Sequence, residues 1–549
     1  MNCPKCGSQM VLRSRRSDGN KFYGCKRYPG CKGVMKYEGE TRRVLVEKTS
    51  AKEWSENQTN FYHKVGSTDQ SILVEAVAGS GKTTTAVEGL KYATRYNSIA
   101  FVAFNRSIAQ DFKEKVPAGV MASTYHSLGL RSIKASMPDV KVDGDNVKDF
   151  NYFKQVTENM PDGTKLMVGD YRSEALRLVS LVKNTLAEPS IASMQLLSDT
   201  YGIDIGKEDE SDIVLDTALK VFNLSNADES LVNFDDMIYW NAIGKDGSDK
   251  PRVNPLRFDL VVTDEVQDTN AARLAMLMNI IGDTGRSIAV GDRRQSIYGW
   301  SGADEEAMDH FRERTNAFEM PLDITYRCPE SIVAMAQEIV PQIKARPGAP
   351  EGIIRHINEF ELLRNLKDGA LVLCRTNAPL VKPAFQMLAE GRKAIIVGRD
   401  IGAGLVSLVD RVAKKNNTQD AFAMLSYLQD YVEIQVKRYE LQGKTSRAAM
   451  LVDQAETIEA ISDGCRTVEE VRSKITKIFG DEKSEGVRFS SIHRAKGTET
   501  DDEYILRPDL MPWPKSVDNP KELRAEMNVK YVALTRSKNA LTFVHGING

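Results

Sequence analysis

Two short segments carry residues able to handle a nucleotide. AVAGSGKT (Ala76 to Thr83) follows the apolar run SILVEA, and TDEVQD (Thr263 to Asp268) follows the apolar run LVV. A glycine-rich turn at a helix N-terminus presents backbone N–H groups to phosphate. Gly79, Ser80 and Gly81 permit such a turn. Lys82 is then placed for the β- and γ-phosphates, and the Thr83 hydroxyl for Mg²⁺. Asp264 and Glu265 end a strand, where ligands collect in open α/β sheets. Asp264 suits the metal, and Glu265 suits activation of a water. A chance glycine turn or a solvated acidic turn would explain either segment alone. The strict loop pattern has Gly six residues before the Lys, where this chain has Ala76.

A third segment, SIAVGDRRQSIYGWSGA (Ser287 to Ala303), again runs from an apolar strand into a polar, aromatic loop. Gln295 is placed to sense a γ-phosphate. Tyr298 and Trp300 could stack on nucleic-acid bases, or could simply be core. Four of the seven cysteines lie in the first 31 residues, as Cys3, Cys6, Cys25 and Cys31. Their C-x2-C-x18-C-x5-C spacing suits one tetrahedral Zn²⁺, which would stabilise a segment too short for its own core. Residues 1–48 hold twelve Lys or Arg against four Asp or Glu, with Phe22, Tyr23 and Tyr28 interleaved. That surface suits single-stranded nucleic acid, although protein docking or a merely solvated face stays open. The whole chain has a formal charge of -2, so any nucleic-acid path must be a local basic track.

These motifs, in this order, resemble superfamily 1 helicases of the UvrD/Rep type. The family's loop reads AxAGSGKT, which accommodates Ala76, and its DExxQD and GDxxQSIYxxxGA motifs match the two segments above. The resemblance runs from Trp54 to Val544 and implies further roles. The ATP contacts would be Gln58 of NQTNFY at adenine, then Ala78, Gly79, Ser80, Gly81, Lys82, Thr83 and Thr84 at the phosphates. Tyr326 of ITYRCPESI would stack on adenine, and Glu499 of SSIHRAKGTE would meet the ribose. Arg327 and Arg536 (of YVALTRSKNALT) would reach the γ-phosphate, completing a catalytic set with Lys82, Asp264, Glu265 and Gln295. The DNA contacts would be Phe104 and Asn105 of AFNRSIA, Thr124 and His126 of TYHSLG, Tyr298, Trp300, His493 and Lys496. AFNRS replaces the usual FTNKA and is closer to the F-box helicase branch, which clouds the role of Phe104. Ser301 stands where many relatives have Arg. The N-terminal segment resembles the C4 zinc ribbons of bacterial type I topoisomerases, which bind single-stranded DNA.

The elements that must position these residues read as an α/β protein with two RecA-like parallel sheets, helical insertions and a small zinc ribbon. The ribbon would span 1–48, and a linker from Thr49 to Asn60 would lead into the first motor domain, 49–320. Its strands are expected at Ile72–Glu75, Ile99–Ala103, Val120–Ser123, Leu260–Thr263 and Ile288–Val290. Asp264 follows Lys82 by 182 positions, more than βα units of about 30 residues need, so 131–230 reads as a helical insertion. A second motor domain, 321–549, would have strands at Leu371–Cys374, Ile395–Val397, Val487–Ile492, Tyr504–Leu506 and Leu541–Val544, with a reduced insertion at 399–485. No run of 18 apolar residues and no signal peptide is seen, which suggests a cytoplasmic or nucleoid place. The resulting expectation is a DNA helicase using ATP, Mg²⁺ and Zn²⁺, moving 3′ to 5′ on single-stranded DNA. A translocase that strips proteins and an inactive DNA-binding scaffold are the alternatives. A nuclease domain is not expected, since the chain stops just past the last motor strand.

Overall fold

The computed structural model describes residues 3–14, 21–36, 53–103, 106–243, 252–297, 306–441, 445–480 and 486–546. Four sequence-predicted DNA contacts, Phe104, Asn105, Tyr298 and Trp300, lie outside them. The chain forms two compact units, Met1–Glu53 and Trp54–Gly549.

In the small unit, strands Met10–Ser14, Lys21–Cys25 and Val34–Lys36 form an antiparallel sheet. Among the described residues its apolar cluster is Cys3, Met10 and Cys25, edged by Tyr23 and Cys31. So few buried side chains cannot offset the chain entropy lost on folding, and a cross-link must contribute.

The large unit is built on two all-parallel sheets. The first has the order Phe318–Leu322, Ile72–Ala76, Ile281–Gly291, Phe258–Thr263, Ile99–Ala103, Val120–Thr124. Successive side chains point to opposite faces, and both faces are covered. Ile72, Val74, Phe101, Leu260 and Val262 pack on one side, and Leu73, Ala100, Val102, Val261 and Ala289 on the other. The strand Phe318–Leu322 carries Pro321, near which the sequence had placed the start of the second motor domain. That strand belongs to the first sheet, at its edge, where a missing N–H costs no ladder bond.

The second sheet has the order Ile353–Asn358, Ser537–His545, Thr500–Leu506, Leu371–Cys374, Val487–Ser491, Ala394–Val397, Phe479–Gly480. Four helices, Arg399–Lys415, Ala421–Leu441, Thr445–Ser462 and Val468–Ile478, lie between two of its strands. The linker expected through Asn60 stops earlier, because a helix begins at Glu56. Ser55 caps it: its Oγ accepts from the Gln58 N–H, and Gln58 Oε1 accepts from the Ser55 N–H. At the other end the buried Arg286 guanidinium donates to the carbonyls of Val65, Thr68 and Gln70.

Helices Lys148–Thr157, Asp162–Asp170, Arg172–Thr185, Ile191–Thr200 and Glu208–Ala227 share one core that runs from Ile133 to Val253. Inside it, the fully buried Asp236 accepts from Lys148 Nζ and Lys183 Nζ, each at 2.8 Å. Removing one member of a buried ionic group leaves the others uncompensated, at a cost of about 3–5 kcal/mol. Asp236→Ala should therefore lower the melting temperature sharply and expose this helical cluster to limited proteolysis. A melting curve like that of the wild type would contradict the assigned geometry.

Candidate nucleotide and nucleic-acid site

The phosphate-type loop leaves the strand Ile72–Ala76 and enters the helix Lys82–Gly89. Gly79 and Gly81 have φ values of 72° and 77°, in the left-handed region that glycine tolerates. A Cβ on Gly79 would sit 2.6 Å from Arg327 Cβ and from Thr325 Oγ1, so the close approach of a second segment also demands glycine. Lys82 Nζ lies 3.8 Å from Glu265 Oε2, and Thr83 Oγ1 donates to Asp264 Oδ2 at 2.5 Å. Residues separated by 183 and 181 positions thus meet at the ends of two strands that flank Ile281–Gly291.

The two carboxylates are pushed apart in acidity. Burial raises Asp264 to about 6, helped by the adjacent Glu265 charge. Burial also opposes ionisation of Glu265, but the charges of Lys82 and Lys496 and the Gln267 amide outweigh it and hold Glu265 below its ordinary value. Gln267 Nε2 donates to Glu265 Oε2 at 2.5 Å, and its Oε1 accepts from the Asp292 N–H at 3.0 Å. Glu265 has φ 53°, a strained value for a side-chain-bearing residue. A carboxylate held ionised beside one whose ionisation burial opposes is a pairing that lets two adjacent acids take different roles.

Gln58 and Tyr326, 268 positions apart, are brought together. The Tyr326 hydroxyl donates to Gln58 Oε1 at 3.1 Å, and Gln58 Nε2 donates to Thr85 Oγ1 at 2.9 Å. Tyr326 is 41% exposed, leaving its ring available for stacking. Arg327 Nε donates to Glu499 Oε2 at 3.1 Å, and its Nη1 to the Thr535 carbonyl at 3.0 Å. Arg536 is buried and donates to the carbonyls of Val532 and Thr498 and to Thr535 Oγ1. Burial, then the nearby Arg327 charge, lowers it to about 10. The Gln295 side chain is turned onto Asp292, its Nε2 donating to Oδ2 at 2.6 Å.

Several sequence-predicted DNA contacts sit differently from expectation. Lys496 Nζ is engaged by both Asp268 carboxylate oxygens, at 2.7 and 2.6 Å, and by the Gln295 carbonyl at 2.6 Å. With only 8% of its side chain exposed, it acts as a tie between segments rather than an open phosphate contact. Burial lowers His126 to about 4 and His493 to about 3, so both imidazoles are neutral near pH 7 and can reach a phosphate only as hydrogen-bond donors. Thr124 caps the helix Tyr125–Ser136, its Oγ1 accepting from the Ser127 N–H.

Two residues the sequence reading passed over are central. The Ala78 N–H donates to the Tyr531 hydroxyl at 2.9 Å, and the Tyr326 N–H donates to the Gly79 carbonyl at 2.8 Å. The first bond joins residues 453 positions apart. Asp268 is the second, as the partner of Lys496. Tyr531 opens the YVALTR segment and Asp268 closes TDEVQD, so motif membership was the available signal.

In the small unit, the sulfurs of Cys3, Cys6, Cys25 and Cys31 all lie within 4.8 Å of one another. Cys3 Sγ and Cys31 Sγ are 3.8 Å apart, and Cys6 Sγ and Cys25 Sγ 3.5 Å. Tetrahedral zinc with Zn–S bonds of ~2.3 Å places its sulfurs ~3.8 Å apart, so the set fits Zn²⁺.

Family comparisons agree with this division. Residues 1–38 match the topoisomerase DNA binding C4 zinc finger. Residues 54–316 match the UvrD/REP helicase N-terminal domain, and 408–545 the UvrD-like helicase C-terminal domain. The ATP-dependent DNA helicase Rep of Salmonella typhimurium is 26% identical over 302 residues, 51% of this chain and 42% of that protein. Rep of Escherichia coli is 29% identical over 261 residues, 42% of this chain and 35% of that protein. The ATP-dependent DNA helicase PcrA of Bacillus subtilis is 26% identical over 297 residues, 50% of this chain and 38% of that protein. The chain thus spans less than half the length of these curated relatives. With its two sheets meeting at one phosphate loop and both helicase domains matched in order, the chain belongs to the UvrD/Rep helicase family.

Proposed function

We propose that this chain is an ATP-dependent DNA helicase that moves 3′ to 5′ on single-stranded DNA. The observation that carries the reading is that the nucleotide site draws on both sheets at once. Gln58, Lys82, Thr83, Asp264 and Glu265 come from the first, while Tyr326, Arg327, Glu499 and Arg536 come from segments before or within the second. The backbone of Ala78 to Thr84 would cradle the phosphates, with Gln58 and Tyr326 at adenine and Glu499 at the ribose. Thr83 and Asp264 would hold Mg²⁺, which neutralises phosphate charge when bound. Glu265, kept ionised and oriented by Gln267, would align and deprotonate the attacking water. Lys82, Arg327 and Arg536 would supply positive charge where the γ-phosphate leaves, and Gln295 would report its presence. Arg327 must let go of Glu499 to do this, so ATP binding and lobe movement are linked. Thr124, His126 and His493 would border the strand path, with Phe104, Asn105, Tyr298 and Trp300 completing it. The zinc ribbon would add a second single-strand contact, or a docking surface for replication or repair proteins, and the setting would be intracellular.

A second reading is a translocase that strips proteins with little unwinding. The compactness of the four-helix segment between Arg399 and Ile478 favours it.

Lys82→Ala should abolish ATP hydrolysis stimulated by single-stranded DNA, measured by phosphate release. Equal wild-type turnover with and without DNA would sink the motor reading. On tailed duplexes, a helicase should displace strands only when a 3′ tail is present. Activity confined to 5′ tails would overturn the polarity, and ATP turnover without displacement would favour stripping. Metal analysis of the full chain should find about one zinc. Chelation should weaken single-strand binding, and unchanged binding would favour protein docking by the ribbon.

A further inference from the structure

A pair of buried hydroxyls joins the turn at Thr124–His126 to the strand end that carries Asp264. Tyr125 is 2% exposed, Thr263 is fully buried, and their side-chain oxygens lie 2.8 Å apart. The strand Val120–Thr124 and the strand Phe258–Thr263 are not neighbours, since Ile99–Ala103 runs between them. The phenol therefore spans a whole strand to reach its partner. Around it the packing is largely apolar, with Leu128, Val102, Val261 and Val266 in the same cluster, while Thr269 and the Arg273 guanidinium also face the phenol. Apolar packing alone needs no oxygen there, because phenylalanine and valine have nearly the same shapes as tyrosine and threonine. What the two hydroxyls add is direction. They fix the angle of the Tyr125–Ser136 helix start against one strand end. The next residue along that strand is Asp264, which already takes a hydrogen bond from Thr83 of the phosphate loop. On the other side, Tyr125 is flanked by Thr124 and His126.

We propose that the Tyr125–Thr263 hydrogen bond couples occupancy of the DNA path to the catalytic carboxylates. Neither residue touches nucleotide or DNA on this account, so both are positioning residues. The inference rests on the motor reading above. A shift of the Thr124–His126 turn when a strand binds is passed to Thr263, and so to the Asp264–Glu265 pair. Thermodynamic linkage makes the effect reciprocal, so nucleotide must change DNA affinity through the same bond.

The test uses the full chain as wild type, Tyr125→Phe, Thr263→Val and the double variant. Tyr125→Phe strands the buried Thr263 hydroxyl, Thr263→Val leaves the phenol to Thr269, and the double change removes the pair and is close to neutral for folding. ATP turnover is measured with and without saturating oligothymidine, and oligothymidine affinity with and without a non-hydrolysable ATP analogue. The stimulation ratio should fall about five-fold in each single variant, the scale of one buried hydrogen bond. The double variant should fall no further, and the analogue's effect on DNA affinity should shrink in all three. Wild-type stimulation in the double variant would overturn the coupling, as would losses that multiply between the two singles. A wild type that shows no stimulation would overturn the motor reading, and the coupling with it.

Discussion

The phosphate loop is gripped from two sides. Val77 and Ala78 leave the first sheet but pack in the apolar cluster of the second, among Cys328, Ile332, Ile492 and Tyr531. The Ala78 N–H donates to the Tyr531 hydroxyl, and the Gly79 carbonyl accepts from the Tyr326 N–H. A loop whose backbone is shared this way cannot change its hydrogen bonding without disturbing both lobes. That constraint explains Gly79, since any Cβ there would strike Arg327 and Thr325. It also makes phosphate binding and lobe arrangement two aspects of one equilibrium.

Charge is distributed to match. Three cations surround the loop, and two of them are held by acidic partners in this structure: Lys82 near Glu265 and Arg327 on Glu499. Arg536 is stabilised instead by carbonyls and a hydroxyl, and burial makes its charge costly. Beside it, burial raises the fully buried Glu503 to about 8, against the Arg536 charge and the Ser537 N–H. The Lys496–Asp268 ion pair ties the SSIHRAKGTE and TDEVQD segments together, and the same charge helps hold Glu265 ionised.

Much of the fold was legible because buried parallel strands leave short apolar runs bounded by polar turns. Ile99–Ala103 and Leu371–Cys374 were read to the residue. Strands were missed at sheet edges, where one flank is unpaired and the pattern dilutes. Ile353–Asn358 is mostly exposed, and Phe318–Leu322 hides behind its proline. The candidate site was legible as separate motifs, and the resemblance gave their order. What no motif could show was long-range pairing: Tyr531 with Ala78, Lys496 with Asp268, and Tyr125 with Thr263. Those depend on which strand ends the topology makes adjacent, and no local pattern encodes that. Nor does any local pattern show that burial leaves His126 and His493 uncharged near pH 7.

The small unit follows a different logic. Four sulfurs within bonding distance of one tetrahedral ion replace the core it lacks. For the large unit, the account stands on Arg536 acting on a nucleotide held mainly by the other lobe. Kinetics of Arg536→Ala, with ATP affinity and DNA-stimulated turnover measured on the same preparation, test this most directly. The account predicts affinity within a few-fold of wild type and turnover lower by about 10³-fold or more, as for loss of an arginine finger. Turnover near that of the wild type would contradict it.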